Sequence, residues 1–139
     1  MTGDTPAGPS GVKIFLIADI RGYTSFTHDY GDEAAARLTT TFVEMTGEVA
    51  LAHHGAVIDF KGDEVLVGFD SPRQAILAAI RLQSRLVERA IDEPEKPLYV
   101  GMGLDAGEAV IVEGGYRGGA LNLAARLCSL AGPGEILAS

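Results

Sequence analysis

The sequence predicts one α+β domain: a mostly antiparallel sheet with its helices packed on one face. Three observations predict it. A nearly unbroken apolar run near the start reads as a buried strand. A "KGD" turn sits between two strand-like runs. Two long segments carry apolar residues at helical spacing. The 139 residues suit a single domain, and a hydrophobic content of 47% supplies a core.

The elements follow in the order β-α-β-β-α-β-β-α-β. Residues 1–11, "MTGDTPAGPSG", are small and polar; they read as a flexible tail with no signal peptide, and the domain as residues 12–139. "KIFLIADI" (Lys13–Ile20) is the buried strand, closing on an aspartate. The loop "RGYTSFT" follows. In the next segment Ala35, Leu38, Phe42, Met45, Val49 and Ala52 recur every three or four residues, and Gly55 is placed to end that helix. "AVIDF" and "EVLVGF" flank "KGD" as a hairpin. Ser71 and Pro72 open the next helix as N-cap and first position. Its apolar face reads as Ile76, Ile80, Val87 and Ile91, with Arg81, Arg85 and Glu88 elsewhere. "LYVGMGLDAGEAVIVEGG" reads as two strands turning at Ala106-Gly107. A third helix follows, with the stripe Ala120, Leu123, Leu127 and Leu130. "EILAS" begins a last strand.

Charge narrows the function. The net charge is -8, unlike domains that neutralise nucleic-acid phosphates, so no nucleic-acid partner is expected. A small anionic ligand handled through metal ions fits. The single cysteine, Cys128, excludes an intramolecular disulfide and suits a reduced cytoplasmic location. No stretch reads as a membrane span.

Four side chains carry candidate chemistry. Asp19 sits where the buried strand runs out; it either caps a turn or holds a cation. Asp63 is either a polar hairpin residue or, if the hairpin pairs beside the first strand, a partner for Asp19. Two carboxylates at neighbouring strand ends suit Mg²⁺ or Mn²⁺, which take oxygen ligands and substrate phosphates. Asn122 and Arg126, four apart, share a helix face; they are either an exposed polar face or a pair for a sugar oxygen and a phosphate.

Taken together, "FLIADIRGYTSFT", "GDEVLVGF", "GLDAGEAV" and "GALNLAARL", in this order, resemble the class III nucleotide cyclase catalytic domain. The resemblance runs from Lys13 to Ser139. It implies a ferredoxin-like βαββαβ core that works as a homodimer with its sites at the interface, and conversion of ATP or GTP to the 3′,5′-cyclic nucleotide and pyrophosphate in signal transduction. It implies that Asp19, Asp63 and the Ile20 carbonyl hold two divalent cations, Mg²⁺ or Mn²⁺. The segment Gly22, Tyr23, Thr24, Ser25 and Phe26 would hold the triphosphate through its amides. Asn122 would orient the ribose and Arg126 stabilise charge on the α-phosphate, both from the subunit opposite the aspartates.

Two departures accompany the resemblance. The purine-reading positions fall on Asp59 and Gly115, where adenylyl cyclases carry lysine and often aspartate. A carboxylate at Asp59 accepts from guanine N1–H and the exocyclic amine, which predicts a lean toward GTP or weak discrimination between the two. Cyclase domains of this family usually continue past the "GEILAS" strand with further strands and a triphosphate-contacting lysine, which are missing from this sequence. The alternative is a cyclase-homology module that regulates or dimerises without turnover. A diguanylate cyclase is a weaker reading, because Lys61 replaces the first glycine of that family's hairpin. An RNA-binding domain of similar fold suits neither the charge nor the few aromatics.

Overall fold

The structure is a computed structural model that describes residues 10–112 and 115–139, by backbone alone at 10–11, 109–112 and 115–117. The elements are β1 (Ser10–Ile20), α1 (Tyr23–Tyr30), α2 (Asp32–Ala52), β2 (Ala56–Lys61), β3 (Glu64–Phe69), α3 (Pro72–Asp92), β4 (Val100–Val112), β5 (Gly115–Arg117), α4 (Gly119–Leu130) and β6 (Ile136–Ala138). The strand order is β2-β3-β1-β4-β5, with β6 on β4. Among the described residues only the β4–β6 pairing is parallel. The α+β, mostly antiparallel reading holds.

The helices occupy both faces, not one. Ile14, Leu16, Ala18 and Ile20 of β1 join Leu38, Phe42, Leu82 and Leu86 in the larger core under α2 and α3. Phe15 and Ile17 point the other way, into a smaller core with Ala120, Ala124 and Cys128 of α4. An unbroken apolar strand has two faces to bury, so a helix is needed on each.

The helix stripes need correcting. On α2 the predicted core residues are buried except Ala52, which lies at the helix end and is exposed. On α3 the chosen face is the wrong one: Ile76, Ile80, Val87 and Ile91 are 50–73% exposed. The helix buries Ala75, Ala78, Ala79, Leu82 and Leu86 instead. Alanines let α3 lie close to the sheet, and residues at this spacing form a second, equally regular stripe. Ser71 caps α3 as expected, its hydroxyl accepting from the Gln74 N–H at 3.2 Å.

α2 stops at Ala52, and the left-handed residue after it is His54 (φ 61°), not Gly55. Gly55 is needed for another reason: a Cβ there would run into the Phe69 ring. β4 is one continuous strand, with no turn at Ala106-Gly107. Those residues pair with Ile14 and Lys13 of β1. Gly107 instead makes room for the Cβ of Ala120, which would stand 2.9 Å from a Cβ at that position.

On α4 the buried stripe is Ala120, Ala124 and Cys128, while Leu130 is 74% exposed and Leu123 partly so. The cause is on the strand beneath. Gly101, Gly103 and Gly107 alternate along one face of β4, and a Cβ on Gly103 would collide with the Ala124 carbonyl and the Cys128 backbone. Helix and strand touch backbone to backbone, so only small residues fit between them.

Candidate active site

The site lies where β1 ends. Antiparallel pairing sets Asp19 opposite Glu64 on β3 and Gly101 on β4. A two-residue turn joins β2 to β3, with Lys61 opposite Glu64 and Gly62 left-handed (φ 59°). This turn carries Asp63. Its carbonyl accepts the Ile20 N–H at 2.9 Å, which fastens the hairpin tip to the end of β1. "KGD" is therefore a turn for backbone reasons, and the same turn brings the Asp63 carboxylate into the field of Asp19.

Asp19 is an uncomfortable carboxylate. Its Oδ2 accepts from Arg21 Nη1 at 3.0 Å, while its Oδ1 is buried without a hydrogen-bond partner. Burial, with the Asp63 charge next, pushes its pKa up to about 6; Arg21 works against both and Glu64 adds to them. An orphaned, desolvated oxygen beside a second carboxylate is what a cation would relieve. Among the described residues no group of three His, Cys, Asp or Glu side chains could hold a metal ion. Two carboxylates leave the remaining coordination to other oxygens, which suits a hard cation that also binds phosphates.

The segment after Asp19 is a helix rather than a loop. Gly22 is left-handed (φ 74°) and α1 starts at Tyr23. The Phe26 N–H donates to the Gly22 carbonyl at 2.9 Å, so this amide is already engaged. The Phe26 ring packs against the larger core and the Tyr30 ring, 4.7 Å between centroids. Tyr23, Thr24 and Ser25 carry the first-turn amides, which have no carbonyl one turn earlier in the helix.

Asn122 and Arg126 are exposed on α4, turned away from the small residues that meet the sheet. Among the described residues neither has a side-chain hydrogen bond or ion pair with Asp19 or Asp63. Asp59 is exposed on β2, just after a bulge that leaves Ile58 unpaired and sets Asp59 opposite Leu66. Gly115 opens β5, paired with Val112. The two purine positions thus stand on the outermost strands of the order. Glu113 and the tail through residue 9 lie outside the described residues.

Arg21 follows directly on the last residue of β1. Its side chain folds back to bond Asp19, the Ala131 carbonyl at 2.9 Å and the Cys128 carbonyl. Tyr23 points inward too, its hydroxyl accepting from Thr39 Oγ1 at 3.2 Å. Cys128 packs as a small apolar residue, 2% exposed, and burial pushes its thiol up to about 11.

A mostly antiparallel sheet covered by helices on both faces is the architecture of a nucleotide cyclase domain. Comparison with solved structures agrees. The chain superposes on the guanylyl cyclase Cya2 with a TM-score of 0.83 at 26% identity, covering 95% of this chain and 76% of that one. The adenylyl cyclase CyaB from P. aeruginosa gives 0.80 at 26% identity, covering 94% and 77%. Among curated sequences, an uncharacterized protein of Mycobacterium tuberculosis is 34% identical over 122 residues, 88% of this chain and 31% of the relative. A putative adenylate cyclase of Rhizobium meliloti is 29% identical over 125 residues, 89% of this chain and 21% of the relative. No protein-family model matches the chain. The chain belongs to the class III adenylyl/guanylyl cyclase domains. It spans about a third or less of the length of those curated relatives. No helix among the described residues is long and apolar enough to cross a membrane.

Proposed function

We propose that this domain converts a purine nucleoside triphosphate to its 3′,5′-cyclic monophosphate and pyrophosphate, as a cytoplasmic homodimer serving signal transduction. The observation that carries the reading is the buried, unpartnered Oδ1 of Asp19 beside Asp63. Asp19, Asp63 and the Ile20 carbonyl would hold two divalent cations. Bound there, the cations would acidify the 3′-hydroxyl and neutralise charge on the phosphate oxygens.

The chain's own groups supply the rest. The first-turn amides of Tyr23, Thr24 and Ser25 would donate to the triphosphate from the positive end of α1. Asn122 would orient the ribose so that its 3′-oxygen lies in line with the α-phosphorus. Arg126 would donate to the α-phosphate oxygens as the new P–O bond forms and pyrophosphate leaves. Both lie exposed on α4, which suits service to a site completed by a second copy of the chain.

The test is incubation with ATP and, separately, GTP in Mn²⁺, with cyclic nucleotide measured by mass spectrometry. Product is expected from the wild type and not from Asp19→Ala. No product from a folded wild-type chain would favour the non-catalytic module. Asp59 is the expected base reader. Asp59→Lys should shift the ratio of kcat/KM for ATP over GTP upward by about tenfold, the scale of one exchanged charged hydrogen bond. An unchanged ratio would remove Asp59 from purine selection.

A further inference from the structure

We infer that Arg21 is a positioning residue for this reaction, one guanidinium setting both the Asp19 carboxylate and the docked end of α4. The inference rests on the reading of Asp19 as a metal ligand and of α4 as the carrier of Asn122 and Arg126.

Three faces of the guanidinium are committed. Nη1 donates to Asp19 Oδ2 at 3.0 Å. Nε donates to the Ala131 carbonyl at 2.9 Å, and Nη2 to the Cys128 carbonyl. The last two acceptors are carbonyls at the C-terminal end of α4, where the helix is partially negative; the Cys128 carbonyl takes Nη2 in addition to the Ala131 N–H at 3.2 Å. Arg21 therefore caps α4 from a different element, more than a hundred residues away in sequence. It also stands between two negative groups, the Asp19 carboxylate and the α4 terminus, which would otherwise face each other.

The strand beneath is cut to fit. A Cβ on Gly101 would lie 2.5–2.8 Å from Nη2, Nε and Cζ of Arg21. Glycine at 101 is thus what lets the guanidinium lie flat across β4. Because Oδ2 is held by Arg21, Oδ1 is left as the free ligand atom of Asp19. In the proposed dimer Asp19 and α4 of one chain serve different sites, so one Arg21 bears on both. Lysine keeps the charge but presents a single point donor, and it cannot reach a carboxylate and two carbonyls at once.

The experiment uses Arg21→Ala, Arg21→Lys and Gly101→Ala in the full chain. Circular dichroism checks the fold, and alkylation of Cys128 reports the docking of α4 without any substrate. The expected signature is a folded protein whose Cys128 labels at least about tenfold faster. Its kcat should fall at least about tenfold with KM nearly unchanged, the size of effect a small misplacement of reacting groups produces. Ethylguanidinium should restore kcat to Arg21→Ala, and methylammonium should not. Gly101→Ala, which keeps Arg21 but displaces it, should show the same signature. Wild-type kcat in the folded variants would overturn the inference. So would a loss of activity that guanidinium does not rescue and that follows only the fall in Tm, since Arg21 would then be a structural tie alone. Absence of product from the wild type would instead remove the cyclase reading; labelling then decides the tether, and an unchanged rate overturns it.

Discussion

Asp19→Asn should make the metal-free protein more stable at pH 7.5 while removing the proposed cyclase activity. Burial raises the pKa of Asp19 in the folded protein to about 6, against its ordinary value of 3.8. The folded state therefore holds a proton that the unfolded state has already lost across that interval. The carboxyl's contribution is fully favourable below about pH 4, and it is lost as pH rises through 6. Above that pH the ionised, half-buried group costs about 1–3 kcal/mol, the upper figure being the full shift converted. An asparagine is not charged and still accepts from Arg21. Its Tm at pH 7.5 should exceed that of the wild type by roughly 5 °C, and the gain should vanish near pH 4. Mn²⁺ should raise the Tm of the wild type and not that of the variant, because only a binder of the folded state stabilises it. Cyclic product should fall more than about a hundredfold, beyond what one lost transition-state donor usually costs. A variant no more stable than the wild type at pH 7.5 would show that Asp19 is not strained by its setting.

The second large effect belongs to Gly103. A Cβ there meets the Ala124 carbonyl and the Cys128 backbone, with Cys128 Cα at 3.0 Å. These are backbone atoms of a packed helix, so no rotamer change relieves the clash. Gly103→Val must lift α4 and open the small core of Phe15, Ile17, Ala120, Ala124 and Cys128. Ordinary overpacking costs about 1–3 kcal/mol, and a collision with backbone should exceed it. Set against a total stability of about 5–15 kcal/mol, the variant should unfold at markedly lower urea or fail to accumulate as soluble protein. Gly119→Ala is the control. A Cβ at Gly119 meets nothing within 4 Å, so this change should be neutral or slightly stabilising. A Gly103→Val chain that melts with the wild type would mean that α4 sits higher on the sheet than described.

Much of the fold was legible because period and turn chemistry agreed. "KIFLIADI", the "KGD" hairpin and the Ser71-Pro72 start each carry a local signal, and each holds. The meeting of Asp19 and Asp63 was legible too, since it needs only that the hairpin pair beside β1. What misled the reading were places where two patterns coexist. α3 offers a stripe of large aliphatics and a stripe of alanines, and hydrophobicity favours the first while close packing uses the second. Ala106-Gly107 has turn-like composition, yet the glycine answers to Ala120 across the sheet. The side of the sheet that α4 covers was written in Phe15 and Ile17, which an unbroken apolar run hides. Arg21 had no local signal at all, because its partners lie at the far end of the chain.

The strand order has a consequence for how the chain is made. β1 is central, bonded to β3 on one side and β4 on the other, yet it is synthesised before the other described strands of its sheet. Its register with β4 joins Ser10 to Val110 and Ile20 to Val100. At about 5–20 residues per second, β1 waits on the order of several seconds with an apolar edge unpaired. The β2–β3 hairpin can shield one edge early, but the other stays open until β4 is complete. Nascent chains cut before Val100 should therefore engage chaperones, and those extended past Val112 should release them.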